Sequence, residues 1–350
     1  MTLATLETSN TWLGSRHGQD REPVVSQSDT VASPVPAIVW HWSPALLGAL
    51  CALPAAIVTV QDPSHGLALA VGVLPAAAVG VAGPRRSRHA IVIVGLCIGL
   101  GLVLGAALGR HWLLAVGGIF VLALGSAILS GRRPAGRLLM ALAVPMVGAG
   151  LSFDSIRSAT ELALLMAIGS ITGWLLALCW PERTATHPPT SAAIARTALV
   201  EYGIRLGLAG AICAGLGFAL DLDHKGWATA ACLLVMRPTA EMTRLRAAGR
   251  LIAVSAGALA ACVVAVAGAP AGVLAGIIVA DLTALAATRA SRWYVTGGFT
   301  TFIVISLLIY GAPSNAQSRF NERVLETLLG VAVAAVFGVA IPAWRRQGAG

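Results

Sequence analysis

The sequence predicts an all-α polytopic membrane protein of about twelve transmembrane segments in two parallel six-helix repeats. Three observations carry that expectation. Of 350 residues, 57% are hydrophobic and only 11% are charged, where a soluble domain carries about 25%. Apolar runs near the length of a membrane span, about 20 residues, follow one another along most of the chain. The arginines gather in alternate gaps between those runs.

Taken in order, residues 1–36 form a polar tail rich in Ser, Thr and Pro, with few large apolar side chains to bury, and are expected to be a disordered cytoplasmic tail. The first apolar run begins near Ala37, later than the core of a cleavable signal peptide. Residues 37–180 hold six runs, near 38–60, 67–82, 90–108, 112–130, 138–153 and 159–180. A polar linker, 181–196, contains Pro188 and Pro189. Residues 197–343 hold six more, near 200–221, 226–236, 247–267, 270–288, 293–310 and 323–343, before a short tail, 344–350. The runs 67–82, 138–153 and 226–236 are short, as expected of tilted or broken helices.

Net charge is +9, and Lys225 is the only lysine. With both ends inside, eighteen arginines face the cytoplasm: Arg85, Arg86 and Arg88 in one gap, for example, and Arg237, Arg244, Arg246 and Arg250 in another. Five basic residues face the other way: Arg110, Arg157, Lys225, Arg319 and Arg323. That asymmetry predicts that both termini are cytoplasmic, and the Ala- and Arg-heavy composition points to a GC-rich bacterial genome. A basic surface for nucleic acid is not expected, because the charges sit between spans and form no patch on a soluble fold.

The halves resemble each other. Glu161, Leu164, Gly169 and Pro181 recur as Glu322, Leu325, Gly330 and Pro342, all at an offset of 161 residues. His65 and His224 each follow a polar turn and precede a short apolar run. Six spans per repeat make the halves parallel, related by an axis along the membrane normal.

Several chemistries find no motif. A nucleotide-binding loop needs Gly-Lys-Ser/Thr, and Lys225 follows His224. The metalloprotease and nucleophile-elbow patterns are absent, as is the loop motif of major-facilitator transporters. The six cysteines, Cys51, Cys97, Cys179, Cys213, Cys232 and Cys262, lie singly in apolar runs, so neither zinc site nor disulfide framework is expected. The expectation is no enzyme, no metal and no cofactor.

The second half carries a sharper series. His224, Trp227, Arg237 and Pro238 are followed by a basic stretch to Arg250 and by Gly257; Arg205 opens a span upstream, and Arg323, Glu326, Thr327 and Gly330 open the last. This series resembles the fusaric-acid-resistance-like family of integral membrane transporters, related to the aromatic acid exporters. The match runs over about 201 to 342 and keeps the His-to-Pro spacing. Ala231, Ala253, Val254 and Glu326 depart from the family pattern, which bears on substrate more than on family. The resemblance implies export of small organic acids, often aromatic carboxylates, driven by the proton gradient. The partners would then be an organic-acid substrate and the lipid bilayer, with homo-oligomerisation left open. A passive anion channel and a non-transporting scaffold are the alternatives.

Residue by residue, Arg205 either snorkels to the headgroups or pairs with a buried acid or a substrate carboxylate. Asp281 is the most membrane-embedded acid, a candidate for proton coupling or a structural partner of Arg205. Glu326 is the second coupling candidate; with Glu322 it also stands near a helix N-terminus, which favours carboxylates. Arg323 and Thr327 are candidates for a mouth that steers anions. Trp227 reads first as an interfacial anchor and second as part of the pathway. Pro238 ends the short segment after Trp227, so Arg237, Pro238 and Thr239 are expected to form an elbow of the kind that carries sites in transporters. Thr300, Thr301 and Ser306 either line a path or bond back to their own helix.

Overall fold

The computed structural model describes residues 38–80, 84–131, 134–182, 196–291, 293–310, 313–342 and 344. The expected N-terminal tail, most of the linker and the end of the C-terminal tail fall outside these residues.

The described chain is helical, with no strand among the described residues. Twelve helices follow in order: α1 Trp42–Gln61, α2 Pro63–Val79, α3 Ala90–Leu108, α4 Trp112–Ser130, α5 Gly136–Gly150, α6 Ile156–Leu178, α7 Arg196–Ala219, α8 Trp227–Val235, α9 Ala240–Val266, α10 Ala271–Ala287, α11 Trp293–Tyr310 and α12 Ala316–Ala340. Seven are long and apolar enough to cross a membrane, namely α1, α3, α4, α6, α7, α9 and α12. α2, α5, α10 and α11 are shorter apolar helices, and α8 has nine residues. Each expected apolar run coincides with one helix.

Local chemistry sets the boundaries. Asp62 ends α1 and caps α2, its carboxylate accepting from the Ser64 and His65 amides at 3.0 and 3.1 Å, with Pro63 in the first turn where no amide is needed. Ser155 caps α6 by accepting from the Ser158 amide at 3.0 Å. Gly80 ends α2 at φ 62°, a conformation glycine adopts without strain. π turns interrupt α5 at Leu139–Ala143 and end α12 at Val336–Ala340.

The outward faces stay apolar: Ile57, Leu100, Leu113, Val121, Ile252 and Val263 are all well exposed. Water does not tolerate so much contiguous apolar surface; hydrocarbon does. Inside, small residues let backbones approach. Gly105 lies against the Val147 carbonyl, joining α3 to α5, and Gly257 lies against the Gly298 carbonyl, joining α9 to α11.

Those two contacts belong to a pattern. α1 packs on α10 as α7 packs on α4, and α3 on α6 as α9 on α12. α2 meets α6 and α11 as α8 meets α12 and α5, and α1 meets α2 as α7 meets α8. Each pair recurs six helices later. The sequence offset reappears in space: Gly169 of α6 rests on the Gly72 carbonyl of α2, and Gly330 of α12 rests on the Ala228 carbonyl of α8.

The basic residues do more than mark loops. Arg88, expected as a loop charge, is fully buried and donates to the carbonyls of Ala177, Trp180 and Pro181 at the end of α6. Arg289 donates to the Val79 carbonyl at the end of α2 at 2.7 Å. Helix C-termini leave carbonyls without partners and carry partial negative charge, so a guanidinium suits them on both counts.

Candidate functional site

α8 is half a span. It stops at Val235, Met236 is extended at φ −63° and ψ 133°, and α9 begins after its cap at Thr239. The expected elbow at Arg237, Pro238 and Thr239 is therefore present. Its polar groups are turned to local use. Arg237 Nη1 donates to the Met236 carbonyl at 2.7 Å, and its backbone amide donates to Thr243 Oγ1 at 3.0 Å. The Tyr202 hydroxyl donates to the same Met236 carbonyl at 3.1 Å. Thr239 accepts from the Met242 amide at 3.4 Å. These bonds satisfy the backbone groups that a broken helix frees inside a bilayer.

At the other end of α8 a polar cluster forms between α8 and α12. The His224 ring stacks on Trp227, centroids 3.9 Å apart and planes 15° apart. The Arg323 guanidinium carbon lies 4.2 Å from the Trp227 ring centroid, a cation–π arrangement. His224 Nδ1 is 3.5 Å from Glu322 Oε2. Arg319 bridges Glu322 at 2.9 Å and Asp223 at 3.5 Å. Burial, with Arg319 and Arg323 nearby, pushes His224 down to about 4, outweighing the carboxylates of Asp223 and Asp154. The histidine is therefore neutral at physiological pH.

Beneath this rim the polar groups are buried and short of partners. Arg323, Glu326 and Thr327 on α12 and Thr229 on α8 are all buried. Arg250 joins them from α9, ten residues past the helix start, about 15 Å along the axis. It lies within electrostatic reach of Arg323, which also feels Glu326. The Nε atoms of Arg250 and Arg323, Glu326 Oε2 and Thr229 Oγ1 have no hydrogen-bond partner among the described residues. Thr327 bonds back to the Arg323 carbonyl at 2.7 Å. Such orphaned buried groups are unusual in a finished core.

The sequence candidates thus separate. Trp227, Arg323, Glu326 and Thr327 come together. Arg237, Pro238 and Thr239 sit at the opposite end of α8. Arg205 is 3.9 Å from Glu201 and donates to the Phe337 carbonyl in the π turn at 3.4 Å; it does not pair with Asp281. It lines an open cleft of about 620 Å³ with Arg196, Val200 and Ile204. Asp281 is buried on α10, its Oδ2 without a partner among the described residues.

Two expectations change. Trp227 is no interfacial anchor, because it is only 7% exposed and α8 is enclosed by α5, α7 and α12. Arg250 is no loop charge, because α9 starts at Ala240 and carries it into the bundle. Thr300 and Thr301 bond back to Thr296 and Gly297, as serine and threonine commonly do in such helices.

Among the described residues the first half has no such cluster. At the 161-residue offset, Arg323, Glu326 and Thr327 correspond to Leu162, Leu165 and Met166. A separate cavity of about 260 Å³ between α2, α9, α10 and α11 is mostly apolar, its polar side chains being Ser306 and Tyr310.

Comparison with known families gives one match on this region. Residues 212–337, from within α7 into the π turn of α12, match the family described as fusaric acid resistance protein-like. Neither the curated proteins nor the solved structures gave a match.

Proposed function

We propose that the protein is a secondary transporter of a bacterial inner membrane, with both termini cytoplasmic, that exports small organic acids, aromatic carboxylates among them, in exchange for protons. One observation carries this reading. Inside an apolar bundle, and in one half only, buried Arg250, Arg323 and Glu326 hold polar atoms without partners. Intramembrane ionisable groups are costly and mark substrate or ion pathways. Coupling falls to carboxyls that can take up and release a proton at depth, Asp281 and Glu326. The broken α8, with its elbow at Arg237, Pro238 and Thr239, gives the pathway a short wall of the kind found where transporters interrupt a helix. The likeness of residues 212–337 to the fusaric-acid-resistance-like family supports transport over catalysis.

The test is accumulation of radiolabelled benzoate and a panel of organic acids in cells with and without the protein. Lower accumulation that an uncoupler abolishes is the expected result. Unchanged accumulation across the panel would leave the scaffold reading in its place. A loss of label that survives both an uncoupler and Asp281→Asn would instead describe a passive channel.

A further inference from the structure

The arginines packed into the helices divide by where their donors go. Arg88, Arg205, Arg237, Arg246 and Arg289 all donate to backbone carbonyls at or near helix ends. Arg250 and Arg323 are each 9% exposed and donate to nothing among the described residues. Among the described residues no ion pair closes on either. Arg323 is held over the Trp227 ring, within electrostatic range of Arg250 and Glu326. Gly297 of α11 faces the Arg250 guanidinium, where an added Cβ would stand in ordinary contact with Nη1, 3.5 Å away.

Charge counting sharpens the point. Within this cluster two guanidiniums, Arg250 and Arg323, face the single carboxyl of Glu326, an arrangement that is strongly unfavourable unless something compensates it. A guanidinium presents paired N–H donors that match the two oxygens of a carboxylate. The Trp227 ring already carries His224 and Arg323, so it has other occupants where an aromatic substrate would stack.

We infer that Arg250 and Arg323 together bind the carboxylate of the transported anion, and that Trp227 is a positioning residue for Arg323. This deepens the transport reading and rests on it. It makes charge the selected feature of the substrate: an alicyclic carboxylate fits as well as an aromatic one, and a neutral aromatic amide does not.

The experiment is equilibrium binding to the purified full chain in detergent, with benzoate, cyclohexanecarboxylate and benzamide as probes. Benzoate and cyclohexanecarboxylate are expected to bind within threefold of each other, with benzamide at least tenfold weaker. Arg250→Gln and Arg323→Gln are each expected to weaken benzoate at least tenfold, and Arg86→Gln, on an exposed turn, to leave it unchanged. Trp227→Ala is expected to weaken benzoate and cyclohexanecarboxylate equally; a selective loss of benzoate would restore ring stacking and overturn the positioning role. Should the Gln variants fail to fold, the wild-type comparison still decides: benzamide binding as tightly as benzoate, or no carboxylate binding at all, overturns the site. Binding that needs both arginines, without export in cells, keeps the site and removes the transporter. Export undiminished in a folded Arg250→Gln variant does the reverse.

Discussion

Gly330 of α12 rests on the carbonyl of Ala228 in α8, with no room between them for a methyl group. Gly169 stands in the same relation to Gly72 in the other half. Gly330→Ala and Gly169→Ala are each expected to destabilise the protein by about 1–3 kcal/mol, the usual cost of overpacking. Gly276→Ala on α10, where a Cβ meets open space, is expected to shift stability by less than about 1 kcal/mol, in the favourable direction. Unfolding in mixed micelles measures all three; equal stability of the Gly330 and Gly276 variants would refute the close approach.

His224 predicts a pH dependence. Its folded value, about 4, lies below the ordinary 6.5. Between those values the unfolded chain binds the proton and the folded chain does not. This group's contribution is therefore complete above pH 6.5, is lost progressively as pH falls toward 4, and levels off below. Melting curves at pH 7 and 4.5 are expected to show a larger drop for wild type than for His224→Gln. Parallel drops would show that His224 does not stay neutral in its stack with Trp227.

Asp281→Asn and Glu326→Gln probe coupling. If either carboxyl carries the proton, its variant loses uphill export by at least tenfold while still exchanging labelled for unlabelled benzoate across the membrane. Counterflow in proteoliposomes separates the two activities. Full uphill export by both variants would remove these residues from the coupling step.

Arg88→Gln tests the capping role. Three carbonyls at the end of α6 lose a charged, fully buried donor, which is expected to cost about 3 kcal/mol. Transport per folded molecule should not change, because Arg88 is remote in sequence and helix pairing from Arg250 and Arg323. A folded variant with normal stability but altered transport would contradict this assignment.

Much of the architecture was legible in the residues. Hydropathy marked every helix, because a bilayer demands apolar length wherever a chain crosses it. The break at Pro238 was legible because proline lacks the amide a helix needs. The equivalence of Gly169 and Gly330 was legible from spacing. The site was legible only in part. Trp227, Arg323, Glu326 and Thr327 stood out as a series, whereas Arg250 was hidden in a run of arginines with the look of a loop.

By itself, the sequence determined that the protein is a helical membrane protein, which runs become helices, and in what order. It could do so because lipid imposes length and hydrophobicity on each segment separately. Only the tertiary structure decided which arginines are occupied. Arg88, Arg205, Arg237 and Arg289 meet carbonyls contributed by the packed backbone, while Arg250 and Arg323 meet none. A hydrogen-bond partner contributed by another helix is a property of packing, and no local pattern records it.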